Sequence, residues 1–214
     1  MRLYIVRHGD PDYEHNTITP RGHEEAAALA EWFDQIPLNE IYTSPLGRAI
    51  DTAEYTCKRQ HVQATVLPWT EESMDYMQRF TPDHPMAYRF SSEEGAIDFV
   101  DCYTDRTERL TMLIKEADAF LAAQGYERQG AHYAIKEQND KHVAVFCHGG
   151  FGVALTAHLL GLPPALGFSS MFMTTSSVTT FEFRDHFGNG FTRPRMIRFG
   201  ETAHLQLKGT NSEG

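Results

Sequence analysis

The sequence has few of the features that mark membrane and secreted proteins. It contains no run of about eighteen apolar residues, so we expect no membrane-spanning helix. Its cysteines are odd in number and widely scattered (Cys57, Cys102 and Cys147), which is typical of reduced thiols rather than of a disulfide framework. No signal-peptide pattern precedes the first predicted strand. We therefore expect a cytoplasmic protein without a membrane partner.

The chain is also poor in positive charge. It has 29 acidic and 19 basic residues, a formal net charge of −10. This balance disfavours non-specific nucleic-acid binding, because such proteins need a positive surface to neutralise phosphates. An anionic small molecule would have to be held by a local cluster of cations. With 214 residues the chain is long enough for one domain with a sizeable core, but nothing in it indicates the oligomeric state.

The first nine residues carry the most informative pattern. Residues 2–6 are rich in aromatic and β-branched side chains and predict a buried strand. The strand is followed by Arg7, His8 and Gly9, before Asp10 and Pro11 force a turn. Ligands of α/β proteins bind beyond the carboxyl ends of strands, where His can act as a nucleophile and Arg can bind phosphate. The tripeptide alone also fits a strand that simply ends in solvent.

The same pattern occurs a second time. Residues 141–147 form another apolar run, and it ends in His148, Gly149 and Gly150 at the predicted start of a helix. Helix amino termini favour anions because their backbone N–H groups are free and the dipole is positive there. Between the two copies, Ser44 is a plausible N-cap of a helix that places Arg48 about one turn in.

Other segments predict conventional elements. We expect a helix from Pro20 capped by Thr19, a helix over 45–58, a strand over 63–67 and a helix over 105–123. Residues 124–140 are polar and predict a surface connection, and the helix after His148 should end at Gly161. The segments 177–183 and 194–199 are predicted to pair as a hairpin.

Taken together, these motifs resemble the histidine phosphatase superfamily, also called the phosphoglycerate mutase-like family. The resemblance extends from residue 1 to about 205. The segments that carry it are Arg7-His8-Gly9, Ile18-Thr19-Pro20-Arg21-Gly22, Ser44-Pro45-Leu46-Gly47-Arg48-Ala49 with Thr52-Ala53, His148-Gly149-Gly150, Ser176-Ser177-Val178-Thr179 and Thr202-Ala203-His204-Leu205.

The resemblance implies a three-layer α/β/α sandwich with a mostly parallel central sheet. It also implies that no metal or other cofactor is needed, since cationic side chains surround the phosphate. The residues it assigns to catalysis are His8, Glu72, Arg7, Arg48 and His148, and those it assigns to substrate binding are Arg7, Asn16, Arg48 and Gly149.

Two adjacent residues compete for the role of general acid. The family places a Glu shortly after its third strand, and here Glu71 and Glu72 are adjacent while the usual following Gly motif is absent. We favour Glu72, because a Trp three residues earlier resembles variants of the family, and Glu71 is the alternative. Both could also be solvated loop carboxylates.

The resemblance predicts one domain over 1–205, a lid insertion at about 73–103 and a polar tail over 206–214. The insertion is rich in aromatic residues and Met, which would suit a lid that stacks on a substrate or a small satellite core. Residues 71–105 include nine Asp or Glu and two Arg, Arg79 and Arg89, a local charge of −7.

The predicted activity is metal-independent hydrolysis of a small phosphomonoester through a phosphohistidine on His8. One alternative is phosphoglycerate mutase-type phosphoryl transfer, although a mutase should carry further basic residues in the segment after its Glu, and here that segment is acidic. Another is a phosphate- or metal-binding protein without catalysis. The eleven His residues are dispersed, and His15 and His23 are read as surface side chains.

Overall fold

The computed structural model of the protein describes residues 1–73 and 107–206. The predicted lid, apart from Ser73, and the predicted tail, apart from Gln206, lie outside the described residues. Within the described ranges, no helix combines the length and the apolar character needed to cross a membrane.

The strands form one large and two small sheets. In chain order they are β1 (Arg2–Arg7), β2 (Pro11–Asp12), β3 (Thr17–Ile18), β4 (Glu40–Thr43), β5 (Ala64–Val66), β6 (Tyr126–Gln129), β7 (His132–Ile135), β8 (His142–Cys147), β9 (Val178–Glu182), β10 (Phe191–Thr192) and β11 (Arg195–Glu201). The large sheet has the order β11-β9-β1-β8-β4-β5. Its strands β1, β8, β4 and β5 are parallel, whereas β9 and β11 are antiparallel to their neighbours.

Helices cover both faces of this sheet. They are α1 (Pro20–Phe33), α2 (Gly47–Gln60), α3 (Glu108–Ala123), α4 (Gly149–Leu160), α5 (Pro164–Ser170) and α6 (Ala203–Gln206), with a 3-10 turn at Pro68–Thr70. Apolar side chains of α1 and α2 pack in one core cluster, and those of α3 and α4 pack in the other. The predicted three-layer α/β/α sandwich with a mostly parallel sheet is therefore confirmed.

The alternation of side chains along β1 explains why two cores form. Leu3 and Ile5 point into the core beneath α3 and α4, whereas Tyr4 and Val6 point into the core beneath α1 and α2. A strand of a parallel sheet is buried on both faces, so it reads as a continuous apolar run rather than as an alternating one. Strand β8 follows the same rule.

Two predicted helix ends, the start of α1 and the end of α4, are confirmed. Thr19 caps α1 by accepting a hydrogen bond from the N–H of Gly22, and Gly161 ends α4 with a left-handed φ of 68°. The prediction that Ser44 caps α2 and that the helix starts at residue 45 was wrong. That helix begins at Gly47, its N-cap is Leu46, and the Ser44 side chain has another partner, described below.

The sequence predicted a surface connection over 124–140. The structure differs, because this segment contains the hairpin β6–β7. Most residues of this segment are polar, but two of its side chains, Tyr126 and Tyr133, are buried, at 0% and 1% exposed. Strand β10 adds to this hairpin, within the connection between β9 and β11. The predicted antiparallel pairing of the last two long segments is confirmed by β9 and β11.

Candidate active site

Three neighbouring parallel strands place the candidate residues at one edge of the sheet. Arg7, the last residue of β1, is paired in register with Cys147, the last residue of β8. Thr43 at the end of β4 is paired with Phe146. The residues that follow these strands therefore lie side by side, and the His8 and His148 rings are 5.2 Å apart between centroids.

The hydrogen bond of His8 fixes which ring nitrogen is available. Its Nδ1 lies 2.7 Å from the carbonyl oxygen of Gly9, which can only accept, so Nδ1 carries the proton. The lone pair then resides on Nε2. Burial lowers the pKa of His8 to about 4, with a further lowering by the nearby Arg7 and Arg48 charges. The ring is therefore neutral near pH 7 and has a free nucleophilic nitrogen.

His148 is oriented by Ser44, which follows β4. The Oγ atom of Ser44 is 2.7 Å from His148 Nε2 and accepts a hydrogen bond from the N–H of Leu46 at 3.3 Å. The Ser44 hydroxyl can donate its proton to Nε2 while it accepts from Leu46, and this pairing leaves the proton of the neutral ring on Nδ1, which is buried without a hydrogen-bond partner. Burial lowers the pKa of His148 to about 2. His148 can therefore offer a neutral N–H donor rather than a charge.

Arg7 lies across the first turn of α4. Its guanidinium donates to the carbonyl oxygen of Met173, while its Nε is buried without a partner. A Cβ atom at Gly149 would lie 3.3 Å from Arg7 Nε, so the small residue at 149 lets the side chain pass close to the backbone. The guanidinium carbon is 5.9 Å from the centre of the Phe172 ring.

Arg48 is held from the loop between β2 and β3. Its guanidinium donates to Oδ1 of Asn16 at 3.1 Å and lies 5.4 Å from the centre of the Tyr13 ring. Asn16 has a left-handed φ of 52°, and its carbonyl oxygen would lie 2.1 Å from a Cβ at Gly47. Only glycine fits at 47 without a shift. Asn16, predicted to bind substrate, thus contacts Arg48 and is not among the residues that line the cavity described below.

Glu72 is bound by the amino terminus of α4. Its carboxylate accepts hydrogen bonds from the N–H groups of Gly150 at 2.8 Å, Phe151 at 3.0 Å and Ser73 at 3.1 Å. Burial raises its pKa above the usual value, and these hydrogen bonds oppose that rise. The N–H groups of Gly150 and Phe151 are therefore occupied by Glu72, although the sequence suggested that backbone donors near Gly149 would face the phosphate.

The alternative acid, Glu71, is exposed, and its backbone carbonyl accepts a hydrogen bond from Arg109 at 2.6 Å. It does not belong to the cavity that contains Glu72.

Five of the predicted residues, Arg7, His8, Arg48, Glu72 and Gly149, line one cavity of about 530 Å³, whereas His148 is fully buried behind His8 and is not in the described lining. Its described lining has a polar part, formed by both arginines, His8 and Glu72, and an apolar part from α4, α5 and the segment after α5. The lining residues are Arg7, His8, Tyr13, Arg48, Glu72, Gly149, Gly150, Val153, Phe168, Met171, Phe172 and Met173. In the two described ranges, no group of three or more His, Cys, Asp or Glu side chains is arranged to hold a metal ion.

Three supporting residues were missed by sequence reasoning. Thr52 accepts the N–H of Gly9 at 2.9 Å and donates to the carbonyl of Arg48 at 2.7 Å, which connects the two candidate loops. Glu25 is 0% exposed and accepts the N–H of Asp10 at 3.0 Å. A signal for Glu25 exists in the sequence, since it lies four residues before the core residue Leu29 and so on the buried face of α1. Ser44 was predicted only as a cap.

Comparison with solved structures shows the same fold in phosphatases. Glucosyl-3-phosphoglycerate phosphatase from mycobacteria is 21% identical, with a TM-score of 0.65, and the match covers 94% of this chain and 99% of that chain. Phosphoserine phosphatase from Entamoeba histolytica, in complex with 3-phosphoglyceric acid, is 19% identical with a TM-score of 0.64, covering 95% and 98%. No curated protein gave a significant match.

The sequence model of the histidine phosphatase superfamily (branch 1) matches residues 3–189, which is most of the chain. That range includes His148 and every residue that lines the cavity. The chain belongs to the histidine phosphatase superfamily.

Proposed function

We propose that the protein is a metal-independent phosphatase that hydrolyses a small-molecule phosphomonoester through a phosphohistidine on His8. The observation that carries the proposal is the state of His8 itself. Its Nδ1 proton is held by Gly9, its pKa of about 4 keeps the ring neutral, and it shares one cavity with two arginines and a buried carboxyl group.

In the first step, the Nε2 lone pair of His8 attacks phosphorus. The nitrogen–phosphorus bond forms as the bond between phosphorus and the ester oxygen breaks. Glu72 gives its proton to that oxygen, so the alcohol leaves in neutral form. The raised pKa of Glu72 supports this role, because a larger fraction of the carboxyl groups is protonated at a given pH.

In the second step, a water molecule attacks the phosphorus of phosphohistidine and breaks the nitrogen–phosphorus bond. Glu72, now ionised, takes a proton from that water, and inorganic phosphate leaves. This restores His8 and Glu72 to their starting states.

Arg7, Arg48 and His148 stabilise the oxygens of the transferring phosphoryl group. The arginines supply positive charge and His148 supplies the N–H on Nδ1, a buried donor without a partner. Fixed donors of this kind are each worth roughly 10²–10³ in rate. Asn16 contributes by holding Arg48, with which it forms a 3.1 Å hydrogen bond.

The similar structures support a small phosphorylated substrate, because their names give phosphoserine and glucosyl-3-phosphoglycerate as what those enzymes act on. A cytoplasmic location is part of the proposal, and Cys57 and Cys147 are both free thiols. We expect neither nucleic acid nor membrane as a partner.

The mutase alternative uses the same phosphohistidine but returns the phosphoryl group to a second substrate hydroxyl. A mutase is expected to carry further basic residues after its Glu, whereas the sequence of 71–105 has a net charge of −7. Release of inorganic phosphate in stoichiometric amounts would distinguish hydrolysis from transfer.

The test is hydrolysis of p-nitrophenyl phosphate in the presence of EDTA. His8→Ala should abolish turnover, whereas His15→Ala should retain it because the His15 side chain is 69% exposed and lies outside the cavity. Activity in His8→Ala equal to wild type, or activity that is lost in EDTA and restored by a divalent metal, would overturn the proposal.

A further inference from the structure

The cavity has an apolar wall on the side of Arg7. It is formed by Val153 of α4, Phe168 of α5 and the three consecutive residues Met171, Phe172 and Met173. Phe172 is 73% exposed, although a large aromatic side chain is usually buried unless it has a partner. Its ring centre is 5.9 Å from the guanidinium carbon of Arg7.

The distance places Phe172 beside the arginine that would bind the phosphoryl group. A phosphoryl group bound by Arg7 and attacked by His8 must direct its ester oxygen into the remaining space of the same cavity. The wall formed by residues 168 and 171–173 is a contiguous part of that space. The alcohol part of the substrate is therefore the group that would cover Phe172.

The described lining offers no second site for an anion. Among the lining residues that the structure describes, the cations are Arg7 and Arg48, and the phosphoryl group itself needs both. An extra carboxylate or phosphate on the substrate would therefore have no further Arg or Lys to pair with in the described lining.

We infer that the alcohol part of the substrate is apolar and uncharged, an aryl or long alkyl group that packs on Phe172 and the partly exposed Met171. The inference rests on the proposed phosphatase function and specifies its substrate class. Aromatic side chains and Met suit this role, because stacking and sulfur–aromatic contacts add to the burial of apolar area.

The experiment compares kcat/KM for 1-naphthyl phosphate, glycerol 2-phosphate, O-phosphoserine and 3-phosphoglycerate. Wild type should favour 1-naphthyl phosphate over the two anionic esters by at least about tenfold, the lower end of what one methylene group contributes in an apolar pocket. Phe172→Ala should lower kcat/KM for 1-naphthyl phosphate by roughly three- to tenfold, mainly through KM, and should lower it less for glycerol 2-phosphate, whose small alcohol part makes less contact with the ring.

Phe187→Ala is the matched control, because Phe187 is another exposed aromatic, 83% exposed, and does not line the cavity. It should leave all four substrates unchanged. Since both phenylalanines are exposed, neither substitution should reduce the melting temperature, and a thermal scan checks this.

Preference for O-phosphoserine or 3-phosphoglycerate would overturn the inference and direct attention to Arg79 and Arg89, which lie outside the described residues. An equal loss with every ester in Phe172→Ala would also overturn it, because Phe172 would then act by positioning Arg7. If wild type and His8→Ala hydrolyse none of the esters, the proposed function fails, and this inference fails with it.

Discussion

Glu72 and Gly150 are in direct contact across the cavity. The N–H of Gly150 donates to Oε2 of Glu72 at 2.8 Å, and a Cβ atom at position 150 would lie 2.8 Å from Oε1. The small residue in the first turn of α4 is thus what allows the carboxyl group to reach its position. The location of the proposed acid depends on the absence of one methyl group.

Gly150→Ala should therefore reduce activity without reducing stability. The added methyl group displaces the end of a flexible side chain, and alanine is a better helix former than glycine. A shift of the acid by about 1 Å should lower kcat by roughly ten- to a hundredfold. Turnover of an alkyl phosphate and a thermal scan measure the two effects. A parallel fall of activity and melting temperature would instead indicate general damage to the fold.

The pH profile of kcat/KM should show two limbs from two different residues. His8 must be neutral to attack, so the rate should fall as pH falls below its pKa of about 4. Glu72 must be protonated to act as the acid, so the rate should fall as pH rises through its raised pKa. The optimum should lie between these two values.

Glu72→Gln separates the two limbs. With an alkyl phosphate the variant should lose roughly 10²–10⁴ in kcat, the usual contribution of a general acid, and its alkaline limb should disappear. With p-nitrophenyl phosphate the loss should be much smaller, because p-nitrophenolate leaves without being protonated. Glu71→Gln is the control and should resemble wild type. An alkaline limb that persists in Glu72→Gln would assign that limb to another group.

Ser44→Ala tests the positioning of His148. Loss of the hydroxyl, which is 2.7 Å from Nε2, releases the constraint that places the proton on Nδ1. We expect roughly a tenfold fall in kcat, together with a change in the ¹⁵N chemical shifts of the His148 ring. In a His148→Ala background the same substitution should have little further effect. Additive losses in the double variant would contradict a role through His148.

Stability should decrease in acid because several histidines are buried and neutral. Burial lowers the pKa of His204 to about 4, against about 6.5 when it is hydrated. Between these values the unfolded chain binds a proton that the folded chain does not, so the free energy of unfolding falls as pH falls from about 6.5.

His204→Leu should make the loss of stability between pH 7 and pH 5 smaller than in wild type by about 2 kcal/mol, measured by urea denaturation. The same effect is expected from His8 and His148, but substitution there would change the site. His132→Leu, at an exposed position, is the control and should leave the pH dependence as in wild type. An unchanged pH dependence in His204→Leu would mean that His204 is not a neutral buried group.

Much of the site was predictable because its main residues directly follow apolar strand runs. Once β1 and β8 are neighbours in register, His8 and His148 must lie together at one edge. The preference for Glu72 over Glu71 came from family resemblance, and only packing against α4 explains the difference in their surroundings.

Other features depend on contacts that local sequence does not encode. The hairpin β6–β7 has a polar sequence, and its two tyrosines are buried only because the core beside α3 and Phe183 accommodates their rings. The Ser44 hydroxyl was predicted to cap a helix, but the neighbouring strand β8 brings His148 within 2.7 Å of it. The apolar wall of the cavity is likewise assembled from α4, α5 and the segment after α5, whose contact the sequence does not show.

The most direct test of the account is to trap the phosphorylated enzyme. Wild type mixed with p-nitrophenyl phosphate in EDTA and quenched in alkali within one turnover should gain one phosphoryl group by mass spectrometry. The label should map to the peptide with His8 and be lost in acid, as phosphohistidine is. His15→Ala should be labelled in the same way and His8→Ala should not. A label on another residue, or turnover in His8→Ala with no label at all, would contradict the central role assigned to His8.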